Sequence, residues 1–155
     1  MQWNLADEYL QGVGKIRAAV AGLTPAQLNA VPVAGTWSIQ QIVLHLMDDE
    51  LIWTDRVKRM IAEENPTLMD FNESLYASEL HYELWSIEDA ITVFELTRRN
   101  FVKVIAALPE NVINRTGSHS ARGEFCVGDV LPMMVRHVDH HLKFALEKRK
   151  MVEGR

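Results

Sequence analysis

Apolar residues recur at three- and four-residue steps along most of this chain, which is the period of an amphipathic helix. The first such run extends from about Trp3 to Ala21, with Trp3, Ala6, Leu10, Val13, Ile16, Arg17 and Val20 on one stripe and Gly22 as a C-terminal stop. Thr24-Pro25-Ala26-Gln27 opens a short helix, with Thr as cap and Pro at the first helical position. Val31–Trp37 holds Pro32 and Gly35 and reads as loop. Ser38-Ile39-Gln40-Gln41 is a capping box. It opens a second long helix to about Ala62, with Ile39, Ile42, Val43, Leu46, Trp53, Val57, Met60 and Ile61 as its stripe and Asn65-Pro66 as its end.

Residues 67–85 break this period and read as a long connection with at most one helical turn. Ser86-Ile87-Glu88-Asp89 caps a third long helix to about Leu108, with Pro109 just beyond it. Residues 110–124 read as a second loop. The last helix runs from about Val127 to Lys150, where Pro132 is harmless if the helix starts at Asp129 and kinks it if the start is earlier. Strand signals are weak. Four long amphipathic helices predict an all-α four-helix bundle, and the 67–85 link admits a crossover in place of simple up-down order.

Helical angles, at about 100° per residue, sort the polar residues by face. In the last helix His137 and His141 fall at about 280° and 320° from Val127, at and inside the apolar stripe, while His140 falls at about 220°, outside it. Two inward imidazoles at i,i+4 can meet on one ion, and imidazole suits zinc, nickel, copper and iron. Their alternative is a pair of structural histidines bonded to polar neighbours. The Glu that follows the first His in zinc-protease helices is absent, since residue 138 is Val. In the second helix His45 lies at the stripe boundary, and Asp49 lies one turn on, beside the stripe. His45 completes a three-histidine set. Asp49 is the candidate catalytic residue, as general base, and is alternatively a fourth ligand or an acceptor for an imidazole N–H. Three protein ligands with open positions suit catalysis, because structural zinc sites are closed. No Glu-x-x-His pair is present to make a ferritin-like di-iron site.

Glu50 and Arg98 each fall in mid-stripe, at about 20° in their helices. An unpaired buried charge is very costly, so the two are expected to pair inside the bundle. Binding of an anionic substrate is the other reading of Arg98.

Composition narrows the class. At 155 residues, one domain spanning 1–155 is expected. A 48% apolar fraction with 24% charged residues is that of a globular chain. The net charge of −5 argues against nucleic-acid binding. One cysteine makes no internal disulfide. The first twenty residues carry Asp7, Glu8, Lys15 and Arg17 with no signal-peptide apolar run, and no window is long and apolar enough for a membrane span. A cytoplasmic protein is expected.

The segment Trp37-Ser38-Ile39-Gln40-Gln41, then His45-Leu46-x-Asp48-x-Glu50, then Arg98-Arg99, then His119-x-x-Arg122-Gly123-Glu124-Phe125 leading to His137-Val138-Asp139-His140-His141-Leu142, resembles the DinB/YfiT-like superfamily of metal-binding four-helix bundles. The resemblance covers nearly the whole chain. It implies an up-down-down-up bundle, with the long crossover between helices 2 and 3, in proteins that often dimerise. It implies a metal triad at His45, His137 and His141, holding a divalent ion, zinc or nickel. It also implies chemistry in which a low-molecular-weight thiol cosubstrate is transferred to an electrophile. Cys126 departs from the Thr or Ser often found where the last helix opens.

The leading expectation is therefore a metal-dependent thiol S-transferase-like enzyme acting on a small molecule, with the ion activating a thiol or a water. A hydrolase using the same triad and a non-catalytic, stress-associated metal-binding bundle are the alternatives. His119 and Arg122, on the loop before the last helix, are candidates to line the mouth and bind an anionic group, with plain loop solvation as the rival explanation.

Overall fold

A computed structural model describes residues 5–154. Four long helices dominate it: α1 (Leu5–Val20), α3 (Ile39–Ala62), α5 (Ile87–Ala107) and α6 (Val127–Glu153), with a short α2 (Pro25–Asn29) after α1. Trp3 lies outside the described residues. Both capping boxes form, since Thr24 and Ser38 accept from the backbone N–H of Gln27 and Gln41, whose side chains reach back to the cap residues. Ser86 caps α5 by accepting from the Asp89 N–H. No helix among the described residues is long and apolar enough to cross a membrane.

Contacts between helix ends set the directions. Gln40, at the start of α3, donates to the carbonyls of Tyr82 and Trp85, just before α5 begins. Val57 and Met60 near the end of α3 share a cluster with Phe101 and Ile105 near the end of α5. Thus α3 and α5 run parallel. Arg17, late in α1, pairs with Glu88, early in α5, so α1 opposes them. Lys15 reaches Asp139 and Arg149 donates to the carbonyls of Ala18 and Ala19, so α6 runs with α1. The order is up-down-down-up.

That order requires the chain to return along α3 between residues 63 and 86. The return is more regular than its sequence suggests. It contains β1 (Thr67–Leu68), α4 (Glu73–Glu79) and a 3-10 turn at Tyr82–Leu84. Asn72 caps α4, and Ala77 and Tyr82 are buried against the bundle. A seven-residue helix is too short to show a helical period, so only its packing reveals it.

The 110–124 stretch is likewise not plain loop. A 3-10 turn (Glu110–Asn114) leads into β2 (Thr116–His119), which pairs antiparallel with β3 (Gly123–Cys126) and parallel with β1. This three-stranded sheet is a small addition to the helical fold, placed at the bundle end where α3 finishes and α6 begins. Its strands carry none of the β-branched alternation that marks a strand in sequence; pairing with a segment about fifty residues away makes them strands. Helix α6 starts at Val127, so Pro132 sits in its second turn.

The interior is two apolar clusters separated by a polar layer. One cluster gathers Ile16, Ile42, Leu46, Phe94 and Leu142, and the other Tyr9, Trp53, Phe101, Val130 and Met134. Between them lie Asp49 and Glu50 of α3, Arg98 of α5 and His137 of α6. Gly12 of α1 leaves the space that the Arg98 guanidinium fills, since a Cβ there would lie 2.4 Å from Nη1.

A candidate metal centre in the polar layer

Arg98 is 1% exposed and donates to Glu50 Oε2 from Nε at 2.9 Å and Nη2 at 2.7 Å. It also donates to the Tyr9 and Met134 carbonyls, and its guanidinium lies 4.1 Å and 4.2 Å from the Tyr9 and Phe94 ring centroids. The Tyr9 hydroxyl donates to the other Glu50 oxygen. Burial raises the Glu50 carboxyl above the usual range, against the pull of Arg98 and Tyr9. Every donor of the ion pair thus points into protein, and the pair is structural rather than available to a substrate.

One turn toward the other cluster, three imidazoles converge. His45 projects from α3, and His137 and His141 project from α6, which runs antiparallel beside it. His45 Nε2 lies 3.4 Å from His137 Nε2 and 3.2 Å from His141 Nε2. The i,i+4 spacing supplies two of the rings, and the antiparallel packing of α3 on α6 supplies the third. Trp37, just before the Ser38 cap, covers them with its ring 4.9 Å from His45 and 6.2 Å from His141. His140 is exposed on the far face of α6.

Protonation suits these rings to bind a cation. Burial lowers the His45 pKa to about 4 and, with repulsion from the neighbouring histidines, that of His141 to about 3. Both are neutral near pH 7. Asp49 Oδ2 lies 2.9 Å from His137 Nδ1, so the Nδ1–H donates to that carboxylate and Nε2 is the nitrogen turned toward His45. A single imidazole N–H can satisfy only one of the two nitrogens facing His45, whereas one cation satisfies all three. Zinc–imidazole bonds of about 2.0–2.1 Å at tetrahedral angles separate two ligand nitrogens by about 3.3 Å, close to the spacing observed. Residues His45, His137 and His141 therefore fit a divalent ion in both chemistry and spacing.

The other expected residues lie elsewhere or act indirectly. Asp49 is buried and committed to His137, which suits it to orienting that ligand. His119 is not on an open loop. It ends β2 with a fully buried side chain, its ring 6.0 Å from Trp53 and 5.7 Å from Phe125, and Nε2 3.7 Å from Asp70. It offers no atom to the mouth as placed. Arg122 is exposed at the β2–β3 turn and lines an open cleft with Asp70, Phe71, Asn72, Glu73 and Ser74. Cys126 sits at the start of α6, about three helical turns before His137, its Sγ donating to Asp129 Oδ2, and burial pushes its thiol pKa up. It is not part of the histidine site.

Sequence reasoning missed Glu73. Its Oε2 lies 3.9 Å from His45 Nε2, and ligand atoms of His45, Asp49 and Glu73 lie within 4.8 Å of one another. In sequence it is one acid among several in an aperiodic stretch.

Residues 9–145 match the sequence profile of the DinB superfamily. The chain belongs to the DinB superfamily. Among DinB relatives, a protein of Oceanobacillus iheyensis named "Putative metal-dependent hydrolase" is 28% identical over 137 residues, covering 87% of this chain and 79% of that one. A Bacillus cereus protein of the same name is 23% identical over 151 residues, covering 95% of this chain and 87% of its own. The solved structure of YfiT from Bacillus subtilis, titled "a probable metal-dependent hydrolase with an unusual four-helix bundle topology", superposes with a TM-score of 0.91 at 18% identity, covering 97% of this chain and 86% of that one. At that identity the match establishes the four-helix-bundle fold.

Proposed function

We propose that this DinB protein is a divalent-metal-dependent enzyme, with zinc or nickel held by His45, His137 and His141, and that it transfers a low-molecular-weight thiol to a small electrophile. One observation carries the metal site: His45 Nε2 of one helix meets His137 Nε2 and His141 Nε2 of the antiparallel helix at 3.4 and 3.2 Å, and the ligand atoms of all three lie within 4.8 Å of one another. A bound divalent ion would supply Lewis acidity, lowering the pKa of a thiol or water near neutral pH.

The chain's own part is to hold and orient. Burial keeps His45 and His141 neutral, Asp49 fixes the His137 tautomer, and Trp37 walls the site with an apolar face. The cleft edged by Arg122 and Glu73 gives a polar cosubstrate an approach. Cys126 is remote and its thiol is held protonated, so a reacting thiol must come from outside the chain. Hydrolysis with water as nucleophile is the second reading, favoured by the names of the relatives. The same proposal takes the protein to be a homodimer, which sedimentation velocity checks.

The test uses tag-free, metal-stripped protein. Zinc or nickel is expected to bind once per chain, and His45→Ala or His141→Ala to abolish binding. With metal restored, a thiol plus an electrophilic bimane is expected to give conjugate faster than the thiol alone. Ester hydrolysis without any thiol would move the assignment to the hydrolase. Absence of metal binding would overturn the enzyme reading.

A further inference from the structure

We propose that Glu73 is a fourth protein ligand, delivered to the three-histidine centre by the crossover helix α4. This rests on the metal reading above and goes beyond its triad.

His45 Nε2 is the hub of the site. It faces His141 and His137 at 3.2 and 3.4 Å, and on its remaining side the Glu73 carboxylate at 3.9 Å. Two carboxylates flank His45, but only one is uncommitted. Asp49 Oδ2 is held by His137 Nδ1 at 2.9 Å. Among the described residues, the ion-pair contact of Glu73 is with His45, not with a lysine or arginine. Ligand atoms of His45, Asp49 and Glu73 lie within 4.8 Å of one another, so two carboxylates and the imidazole hub of the triad share one small volume. A divalent ion offsets that crowding. The Glu73 side chain is 37% exposed, so a torsion change can close the remaining gap to an adjacent-ligand spacing of about 3.3 Å.

Placement on α4 has a consequence. The histidines ride on the long helices and stay fixed with the core. Glu73 rides on the return segment and can retract without moving them, leaving a coordination position for a substrate. Metal binding then also ties the crossover to the bundle.

Cobalt(II) serves as the probe, titrated into the tag-free, metal-stripped full chain. Wild type, Glu73→Gln, Glu73→Ala and His141→Ala are compared, with Glu79→Gln as a control on the exposed side of α4. Loss of the Glu73 carboxylate is expected to weaken cobalt binding about tenfold or more and to change the visible ligand-field bands, with Glu79→Gln like wild type. Hydrogen exchange of residues 73–79 is expected to slow on metal addition in wild type and not in Glu73→Gln. Wild-type affinity, bands and metal-induced protection in both Glu73 variants, with His141→Ala still inactive in binding, would overturn the Glu73 assignment and leave the triad intact. No cobalt binding by wild type would overturn the triad itself and Glu73 with it.

Discussion

Replacing Arg98 with Met tests the polar layer on which the metal centre is built. The substitution keeps a long side chain in the slot over Gly12 but removes the guanidinium. The Tyr9 and Met134 carbonyls lie in helices and keep their backbone partners. Glu50 does not recover: it loses both Arg98 donors and retains the Tyr9 hydroxyl alone, at 4% exposure. Breaking a buried pair from one side costs roughly 3–5 kcal/mol, because a charge is left uncompensated. For a chain of this size that is a fall of roughly 6–20 °C in Tm. Adding Glu50→Gln removes the stranded charge, so the double variant is expected to be more stable than Arg98→Met alone. The deficit also depends on pH. Burial already raises the Glu50 carboxyl, and without Arg98 the folded state holds a proton that the unfolded chain has released. Stability of Arg98→Met therefore falls as pH rises above the ordinary glutamate value of about 4.3, and its gap from wild type is wider at pH 8 than at pH 5. Urea unfolding of the four members of the cycle at both pH values measures this. Additive single effects, or an Arg98→Met loss under about 1 kcal/mol, would refute the account of Glu50 as a stranded charge.

Gly12→Ala is expected to destabilise by about 1–3 kcal/mol, because its Cβ meets Arg98 Nη1 at 2.4 Å and Glu50 holds that guanidinium in place. Gly14→Ala, two residues on with nothing within 4 Å, is expected to stabilise by roughly 0.5–1 kcal/mol through helix propensity; opposite signs in calorimetry check the pair. Asp49→Ala is expected to lower zinc affinity about 10–100-fold, read by competition with a chromophoric chelator, since His137 loses the partner that sets its tautomer. Metal-free protein is expected to lose stability as pH falls from about 6.5 toward the folded values of about 4 for His45 and 3 for His141. In that window the unfolded chain binds protons that the folded chain refuses. Urea midpoints across it should flatten in His45→Leu and His141→Leu, and an unchanged slope would count against neutral buried rings.

Much of this protein is set by local sequence. Helix period determines α1, α3, α5 and α6, and capping serines fix the starts of α3 and α5, because backbone hydrogen bonds in a helix close within the segment itself. The i,i+4 spacing of His137 and His141 likewise needs no knowledge of the rest of the chain to put both rings on one face. Glu50 and Arg98 show themselves as charges in apolar stripes, which only a mutual pairing makes tolerable. What the tertiary structure alone decides is everything that depends on contacts distant in sequence. Strands at Thr116–His119 and Gly123–Cys126 exist through their pairing with each other and with Thr67–Leu68. His119 is buried because Trp53 and Phe125 close over it, not because of its neighbours in the chain. Glu73 reaches His45 only because two parallel helices force the chain back along the bundle, carrying a short helix across the site. A return path leaves no periodic mark in sequence, since its direction is imposed by the two helices it joins rather than by the residues it contains.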